Sequence, residues 1–496
     1  FPQVMIEKHQ MGSTGVRYFV PPMSDPIAQN IDEGIWNWSW VFGSAMAKDM
    51  AAAGCAGVAQ HYLFDDYWPG STATAEWKNM VGMLTEAAKV NGATPIYIEK
   101  NEIRMTGKGL SENKKSINMP LPWEGGWWRL SDIVRYEMQS TFSLLRTASA
   151  NREQLLLFRN NMCRKEVMKG KTQAPSYFVL PAKQHDQGEL VALVNLLSEH
   201  GVSVSQLKAD LTWKDKLMHA GDIVIPMAQP FRSFVKEVME TQIYPERHYT
   251  PGGELIKPYD ITSWSLPLNK GLQAYQLPVV IDELDQKLEP VTLPFTLMKS
   301  LPEHDNGFWI FSSALNESYK AAFKSLASGL SVRRTRTAIQ LQGETLPAGS
   351  FIISGTKGIK VPAVIDSLSI QPRWAAANPD TTATTVSMPR IALVESWFSD
   401  MDAGWTRYLF DQYHIPYTVV RPADFAKKTF ELNFDVILFP DEDKNVLMEG
   451  KTKAGGDYEM ASYPPEFAKG MGKDGFQKVL KFIRNGGTVL SWGNST

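Results

Sequence analysis

Short apolar runs in the first part of the chain predict two strands that carry the most distinctive chemistry. Val4 and Ile6 alternate with polar residues, which predicts a strand with His9 at its end. Residues 81–86 form an apolar run with one carboxylate, Glu86, at the far end. A strand-end histidine and a buried-strand glutamate are the usual ligand and general base of a metal hydrolase. A purely structural role for His9 is the open alternative.

Helical periodicity follows in two longer stretches. Apolar residues recur at helical spacing over 32–53, with Asp32 placed to cap the start and Gly54 to end the helix. A second, longer helix is predicted from about Ser131 to Lys169. These helices would flank the strands of the first region.

Two aromatic loops lie between these elements. Residues 64–72 combine aromatic and acidic side chains with a Pro-Gly turn, and residues 123–129 hold three tryptophans and two glycines. Loops of this kind on a rigid scaffold often carry function. A rigid surface turn explains the first loop equally well, and both interpretations remain open.

The rest of the chain alternates between strand and helix patterns. This alternation over 177–225 and again over 307–353 predicts parallel α/β layers. Residues 372–389 have the composition of a linker, and a further strand–helix set covers 391–492. The three sets resemble each other, but their irregular spacing does not establish a repeat.

Composition narrows the classes of function. The chain has 496 residues, 43% of them hydrophobic and 21% charged, and a net charge of −2. This length suggests about three or four domains. The charge balance argues against nucleic acid as the main partner, and no apolar run is long enough to predict a membrane span. Eight of the 15 tryptophans lie in the first 130 residues, and this crowding favours either a carbohydrate- or peptide-contacting surface or a large aromatic core.

Common catalytic motifs are absent from the sequence. No HExxH, GxSxG or phosphate-binding loop occurs, and no histidine has the His-x-x-Glu spacing. The two cysteines, Cys55 and Cys163, belong to no metal-like cluster. A catalytic zinc site needs three protein ligands, and only His9 is a good candidate.

Several stretches together resemble a known family. They are residues 9–13, 17–19, 64–71, 82–86 and 125–129, with weaker likeness at 229–230, 244–245, 258–264 and 401–407. In combination, the first 165 residues resemble the C-terminal half of a zinc metallocarboxypeptidase (funnelin) domain. The likeness is to a large bacterial branch with additional C-terminal domains.

The resemblance implies roles for individual residues. His9 matches the third zinc ligand, and Glu86 matches the general acid/base that activates water and protonates the leaving amine. Tyr67 is the nearest match to the transition-state tyrosine. The resemblance further implies that the substrate is contacted by Arg17, Trp68 and Ser71. The family's other two ligands and its carboxylate-binding arginine precede the strand of His9, so we expect them outside this chain.

The last region resembles a class I glutamine amidotransferase. Such enzymes need a nucleophilic cysteine at a strand-to-helix turn, and Cys55 and Cys163 lie far from this region. We therefore expect it to be a non-catalytic accessory domain.

These observations predict an α/β protein that is a fragment of a longer one. We expect an incomplete carboxypeptidase-like mixed sheet with helices at 1–169 and an α/β accessory region with a β-rich insert at 174–371. A flavodoxin- or amidotransferase-like parallel α/β domain, truncated at its C-terminal end, is expected at 389–496.

The predicted function is zinc-dependent hydrolysis of C-terminal peptide or amide bonds, with a complete zinc site only in the intact protein. The resemblance implies a peptide substrate and a secreted or periplasmic location. The alternative is a non-catalytic peptide- or glycan-binding module on a degraded peptidase fold. An amidotransferase-like transferase is a third possibility, opposed by the missing cysteine.

Overall fold

A computed structural model describes most of the chain. The described residues are 2–63, 65–67, 71–105, 107, 109–257, 264–297, 306–356, 358–398, 400–426, 433–454, 457–460 and 464–496. The chain forms two compact units: residues 1–185 with 189–295, and residues 186–188 with 296–496. Among the described residues, no helix is long and apolar enough to cross a membrane.

Secondary structure up to residue 295 is mixed. The strands are β1 (Val4–Met11), β2 (Tyr18–Phe19), β3 (Ser24–Ile27), β4 (Val58–Ala59), β5 (Asp65–Asp66), β6 (Val81–Ala88), β7 (Ile96–Ile98), β8 (Gly126–Trp128), β9 (Tyr177–Leu180), β10 (Ser205–Leu207), β11 (Leu211–Trp213), β12 (Lys216–Met218), β13 (Ile223–Pro226), β14 (Tyr275–Leu277) and β15 (Leu288–Pro290). The helices are α1 (Glu33–Ala52), α2 (Ser71–Glu76), α3 (Leu130–Ala150), α4 (Arg152–Thr172), α5 (Gln187–Glu199), α6 (Arg232–Met239), α7 (Leu266–Asn269) and α8 (Asp282–Gln286).

The remainder of the chain adds two larger sheets, two small hairpins and five labelled helices among the described residues. The strands are β16 (Phe308–Phe311), β17 (Ser331–Arg334), β18 (Ile339–Leu341), β19 (Glu344–Leu346), β20 (Phe351–Ser354), β21 (Arg373–Ala375), β22 (Thr384–Thr385), β23 (Ile391–Val394), β24 (Thr418–Val420), β25 (Val436–Phe439), β26 (Lys451–Ala454), β27 (Asp457–Met460) and β28 (Thr488–Ser491). The helices are α9 (Asn316–Ala327), α10 (Val361–Ile365), α11 (Met401–Tyr413), α12 (Lys444–Glu449) and α13 (Gly472–Arg484). The small hairpins β18–β19 and β26–β27 stand apart from the larger sheets.

The first sheet is mixed, as the sequence predicts. Its order is β1-β6-β2-β4, with β1 parallel to β6 and β2 antiparallel to β6. Helix α3 packs on one face of the sheet, where the hydroxyl groups of Tyr18 on β2 and Ser140 on α3 form a hydrogen bond of 2.8 Å. Helix α2 packs on the other face, where a Cβ on Gly82 would lie 2.6 Å from Cγ of Glu76. A glycine is therefore required in β6 for α2 to approach the sheet.

The helices of this region largely follow the predicted pattern. Asp32 caps α1 by accepting a hydrogen bond of 3.0 Å from the backbone N–H of Gly34. The predicted single helix over 131–169 is wrong, because α3 and α4 are separate helices joined at Asn151. The side-chain amide of Asn151 donates to the carbonyl of Thr147 at 2.8 Å. This bond satisfies a free carbonyl at the end of α3, as local asparagine bonds do where helices stop.

The predicted parallel layers in the accessory region are also wrong. The sheet order is β14-β9-β13-β10-β15, and every neighbouring pair runs antiparallel. Strands β9 and β10 do run in the same direction, as a strand–helix–strand connection through α5 requires. The strand β13, which returns after the hairpin β11–β12, lies between them.

A second sheet repeats this plan in the other unit. Its order is β21-β16-β20-β17-β22, again antiparallel throughout. Helix α9 connects β16 to β17, and the hairpin β18–β19 precedes the central strand β20. The two five-stranded sheets therefore share strand order, directions and hairpin position, although the sequence spacing alone did not establish a repeat.

The last sheet is parallel, as predicted. Its order is β24-β23-β25-β28, and all three described pairings are parallel. The order reverses between β23 and β25, because the chain moves from β23 to one neighbour and then to the other. Such a reversal opens a crevice at the carboxyl ends of the two strands.

Candidate functional site

The pairing of β1 with β6 brings the two predicted residues together. The parallel register places His9 beside Glu86 and Lys8 beside Thr85. Side chains alternate along a strand, so Glu7 and His9 share one face with Glu86, while Lys8 lies on the other. The strand continues two residues past His9 to Met11. His9 thus lies within the last part of β1 and not at its end.

The geometry is that of an imidazole between two carboxylates. His9 Nδ1 lies 3.8 Å from Oε1 of Glu86, and His9 Nε2 lies 3.4 Å from Oε2 of Glu7. The hydroxyl of Thr72 on α2 donates to Oε2 of Glu7 at 2.8 Å. The side chain of His9 is 46% exposed, whereas that of Glu86 is only 10% exposed. Solvent or a ligand can therefore reach the imidazole directly, and the Glu86 carboxyl lies beneath it.

The surroundings of Glu86 make its carboxyl group suited to proton transfer. Its Oε2 is buried and has no hydrogen-bond partner among the described residues. Burial, followed by the negative charge of Glu137, raises the pKa of Glu86 from 4.5 to about 7. At neutral pH both protonation states are therefore populated. A carboxyl group with such a pKa can both accept and donate a proton.

A polar network on the opposite face of the sheet holds the carboxylate of Glu137 in position. Lys8 Nζ lies 2.5 Å from Oε2 of Glu137, and the hydroxyl of Tyr18 donates to the same oxygen at 2.9 Å. Thr85 and Ser140 also contact the Tyr18 hydroxyl, at 3.1 and 2.8 Å. Burial raises the pKa of Tyr18, so its hydroxyl remains a neutral donor. The network attaches α3 to the sheet and keeps one negative charge near Glu86.

Tyr67 makes its described contacts elsewhere. Its hydroxyl donates to the carbonyl of Ile243 at 2.7 Å. Its ring packs edge-on against Tyr244 and Trp264, with centroids 4.9 and 6.0 Å away. Burial, followed by the charges of Glu237 and Glu240, raises the pKa of Tyr67 to about 12. None of these contacts joins Tyr67 to His9 or Glu86.

Arg17 is enclosed in an aromatic environment. Its Nη2 donates to the carbonyls of Ser13 and Gly15, and its guanidinium lies 4.3 and 5.1 Å from the ring centroids of Trp123 and Trp128. The residue is 0% exposed, and burial lowers its pKa to about 10. These contacts are cation–π packing of a buried arginine, and no described contact connects Arg17 to His9 or Glu86.

Trp68 and Ser71 are the two other residues predicted to contact the substrate. Trp68 lies outside the described residues. Ser71 is the first residue of α2, the helix that also carries Thr72. Of the six predicted site residues, the structure therefore brings together His9 and Glu86.

Three carboxylates near this sheet were missed by the sequence reasoning. Glu7 has a usable signal, because it precedes His9 by two residues and so shares its face. Burial, followed by the charge of a neighbouring carboxylate, raises the pKa of both Asp66 and Glu76. Oε2 of Glu76 has no hydrogen-bond partner among the described residues. No sequence signal connects these two residues, because they meet only through the packing of α2.

The described residues do not complete a zinc site. No group of three or more His, Cys, Asp or Glu side chains in the described part of the chain is arranged to hold a metal ion. A catalytic zinc needs three protein ligands and an open position. His9 supplies one suitable nitrogen, so any zinc at this position requires further ligands.

The reversal point of the last sheet carries a second polar cluster. Ser396 follows β23, and its hydroxyl donates to Oε2 of Glu442, which follows β25, at 2.7 Å. Arg421 Nη1 donates to the carbonyl of Ser396 at 2.6 Å, and its guanidinium lies 3.8 Å from the ring centroid of Trp397. These contacts close the crevice between the two strands with mutually bonded side chains.

Asp400 in the same cluster serves α11. Its two carboxylate oxygens accept from the backbone N–H groups of Ala403 and Ser396, at 2.9 and 3.2 Å. Burial, together with the charges of Glu442 and Glu395, raises the pKa of Asp400 to about 6, although these two hydrogen bonds oppose the shift. The carboxylate is thus the N-cap of a helix.

Comparison with protein-family models, curated proteins and solved structures found no significant match to this chain. The carboxypeptidase and amidotransferase resemblances therefore remain predictions from the residues quoted above.

Proposed function

We propose that this chain carries part of the site of a metallocarboxypeptidase-like hydrolase that cleaves C-terminal peptide or amide bonds. One observation supports the proposal above all others. Glu86, a buried carboxyl with an unbonded oxygen among the described residues and a pKa of about 7, lies beside a solvent-exposed histidine. A general base acts best when its pKa is near the working pH.

In this proposal Glu86 takes a proton from the attacking water and returns it to the departing amine. Its burial in an apolar strand favours the neutral acid after the first transfer, which prepares the second. Glu7, held by Thr72, attracts a positive charge on His9 or on a bound cation. Lys8 and Tyr18 hold Glu137, whose charge keeps the proton affinity of Glu86 high.

Zinc is part of the proposal through His9 alone. His9 would provide one ligand, and the other ligands would have to come from outside the described residues. When bound, zinc supplies Lewis-acid polarisation of water and carbonyl oxygen. By the same resemblance we propose a secreted or periplasmic bacterial protein, with residues 389–496 as a non-catalytic amidotransferase-like domain.

The experiment is a comparison of two Glu→Gln variants in hydrolysis of unblocked peptides, made in a form of the protein that also carries the remaining zinc ligands, with zinc supplied. E86Q removes the proposed base but keeps the side-chain volume, and E254Q alters an exposed carboxylate as a matched control. We expect E86Q to lose at least about 100-fold in turnover, the lower range for general-base removal. E254Q should retain the wild-type rate.

Two results would contradict the proposal. Equal turnover of E86Q and wild type would remove Glu86 from the reaction. Complete absence of hydrolysis by the wild-type form that carries the remaining ligands, across peptides with different C-terminal residues, would contradict the hydrolase function.

A binding module is the second candidate, and exposed aromatic side chains favour it. Trp127 on β8 and Tyr97 on β7 are 53% and 51% exposed, and their rings pack edge-on with centroids 5.3 Å apart. Arg129 lies over the Trp127 ring at 5.4 Å. A rigid exposed aromatic pair is typical of surfaces that bind peptides or glycans. In this case E86Q would bind a peptide as tightly as wild type and neither would cleave it.

A further inference from the structure

A separate polar cavity lies between α1 and the paired strands β3 and β5. Its volume is about 170 Å³, and none of the residues assigned to the hydrolase site lines it. The polar and aromatic side chains in its lining are Ser24, Asp25, Trp36, Trp40, His61 and Asp66.

Two indoles form the aromatic part of the cavity. Trp36 and Trp40 are four residues apart on α1, so they share one face of the helix. Trp36 is 7% exposed and Trp40 is 51% exposed. One ring therefore lies deep in the wall, and the other is accessible to a ligand entering from solvent.

The lining has hydrogen-bonding capacity that the described residues do not use. Trp36 Nε1 and Ser24 Oγ are both buried without a partner among the described residues. Burial and the charge of Asp65 raise the pKa of Asp66, with no hydrogen bond acting in the opposite direction. An indole N–H only donates, whereas a carboxyl group accepts through at least one oxygen in either protonation state. An occupant that satisfies this lining must both accept and donate hydrogen bonds.

Two classes of ligand fit an aromatic and acidic cavity. An organic cation would be attracted to the indoles and to Asp25 and Asp66, but it offers no acceptor to Trp36 Nε1. A hydroxyl group both accepts from an N–H and donates to a carboxylate. The apolar face of a sugar ring also packs against an indole. The unbonded indole N–H therefore favours the polyhydroxylated ligand.

The size of the cavity sets the size of the ligand. A volume of 170 Å³ equals five or six times the roughly 30 Å³ that one water occupies in the liquid. We propose that this cavity binds a single sugar ring, either a monosaccharide or one residue of a glycan. The proposal goes beyond the hydrolase function and does not depend on it.

The experiment measures binding of four neutral monosaccharides: glucose, galactose, mannose and N-acetylglucosamine. Saturation-transfer NMR and calorimetry on the full chain give the affinity, and choline is the cation probe. Trp40→Ala removes the accessible ring, and Trp36→Phe keeps a ring but removes the N–H. Trp405→Ala is the matched control, because Trp405 is 62% exposed and lies outside the cavity. Trp127→Ala reports on the exposed β7–β8 surface instead.

We expect at least one of the four sugars to bind with a dissociation constant in the millimolar range. W40A should weaken this binding about tenfold, which corresponds to about 1.4 kcal/mol, and W36F should weaken it severalfold. W405A should bind as wild type does. Circular dichroism checks folding, and W40A remains a sound test if W36F fails to fold, because Trp40 is half exposed.

Three results would overturn the proposal. No saturable binding of any of the four sugars means that the cavity holds only water. Choline binding that depends on Trp40, without sugar binding, identifies a cation site instead. Sugar binding that W127A removes and W40A leaves intact places the ligand on the exposed β7–β8 surface. Peptide hydrolysis by W40A should match wild type, so failure of either proposal is distinguishable from failure of the other.

Discussion

Two buried carboxyl groups near the ends of parallel strands have different chemical availability. Glu86 on β6 has a pKa of about 7 and an oxygen without a hydrogen-bond partner among the described residues. Asp400, after β23, has a pKa of about 6 and accepts from two backbone N–H groups. Burial is the largest cause of the shift in both cases. The hydrogen bonds of Asp400 cap helix α11, whereas the unbonded oxygen of Glu86 is available to accept a proton.

The comparison shows why position in a sheet does not by itself identify a site. Both groups lie where α/β proteins commonly bind ligands. In the last sheet, Ser396, Arg421 and Glu442 bond to each other or to backbone, so the crevice is filled. In the first sheet, His9 remains 46% exposed above Glu86. A functional assignment therefore depends on which polar atoms are left without partners.

The largest effect is expected from E86Q on the pH dependence of stability. The folded-state pKa of Glu86 is raised, so the folded protein binds more protons than the unfolded chain between pH 4.5 and about 7. Wild-type stability should fall as pH rises through this window, by at most about 3 kcal/mol. Gln cannot ionise, so E86Q should be relatively more stable at pH 8 than at pH 5. Urea unfolding of both proteins at the two pH values measures this difference.

A matched comparison is available for that measurement. E254Q changes an exposed carboxylate and should follow wild type at both pH values. If the stability difference between E86Q and wild type is the same at pH 5 and pH 8, the pKa of Glu86 is not raised. Glu86 would then lose the property that distinguishes it as a candidate general base.

A smaller effect is expected when the cap of α11 is removed. Asp400→Ala removes the acceptor for the N–H of Ala403 and should destabilise the last sheet region by about 1 kcal/mol. Asp400→Asn keeps an acceptor oxygen and should lose less. Urea unfolding monitored by circular dichroism at pH 4 measures both, because the raised pKa of Asp400 makes its ionisation destabilise the folded protein progressively above that pH. Equal stability of D400A and wild type would show that Asp400 is not a structural cap, and that it too is available for chemistry.

The smallest effect is expected from Glu137→Gln. Removing this charge should lower the pKa of Glu86, because Glu137 is the second cause of its shift after burial. The amide oxygen can still accept from Tyr18, so the network should remain. The pH window of the stability loss, measured as for E86Q, should move to lower pH. An unchanged window would mean that burial alone sets the pKa of Glu86.

The sequence predicted those features that depend on local pattern. The strands around His9 and Glu86, the Asp32 cap of α1 and the parallel last sheet are confirmed. Each is encoded within one or two adjacent segments. The break at Asn151 was missed, because helical periodicity continues through it and only one residue separates α3 from α4.

Features that depend on distant segments were not predictable in this way. The strand–helix pattern around α5 correctly indicates that β9 and β10 run in the same direction, but it cannot show that β13 lies between them. The same holds for Glu137, which affects Glu86 only because α3 packs on the sheet. Tyr67 and Arg17 were assigned by resemblance, and their contacts with Ile243 and Trp123 depend on packing between segments far apart in sequence.

The most direct test of the central claim is the pH profile of peptide hydrolysis by a wild-type form that carries the remaining zinc ligands, with zinc supplied. A general base must be deprotonated to act, so the rate should rise with pH. The pKa of Glu86 is about 7 without metal, and a zinc ion on the neighbouring His9 favours the carboxylate, so the rate should reach half its maximum at or below pH 7. E86Q should lack this rise, and an unchanged profile in E86Q would contradict the account of Glu86 as the general base.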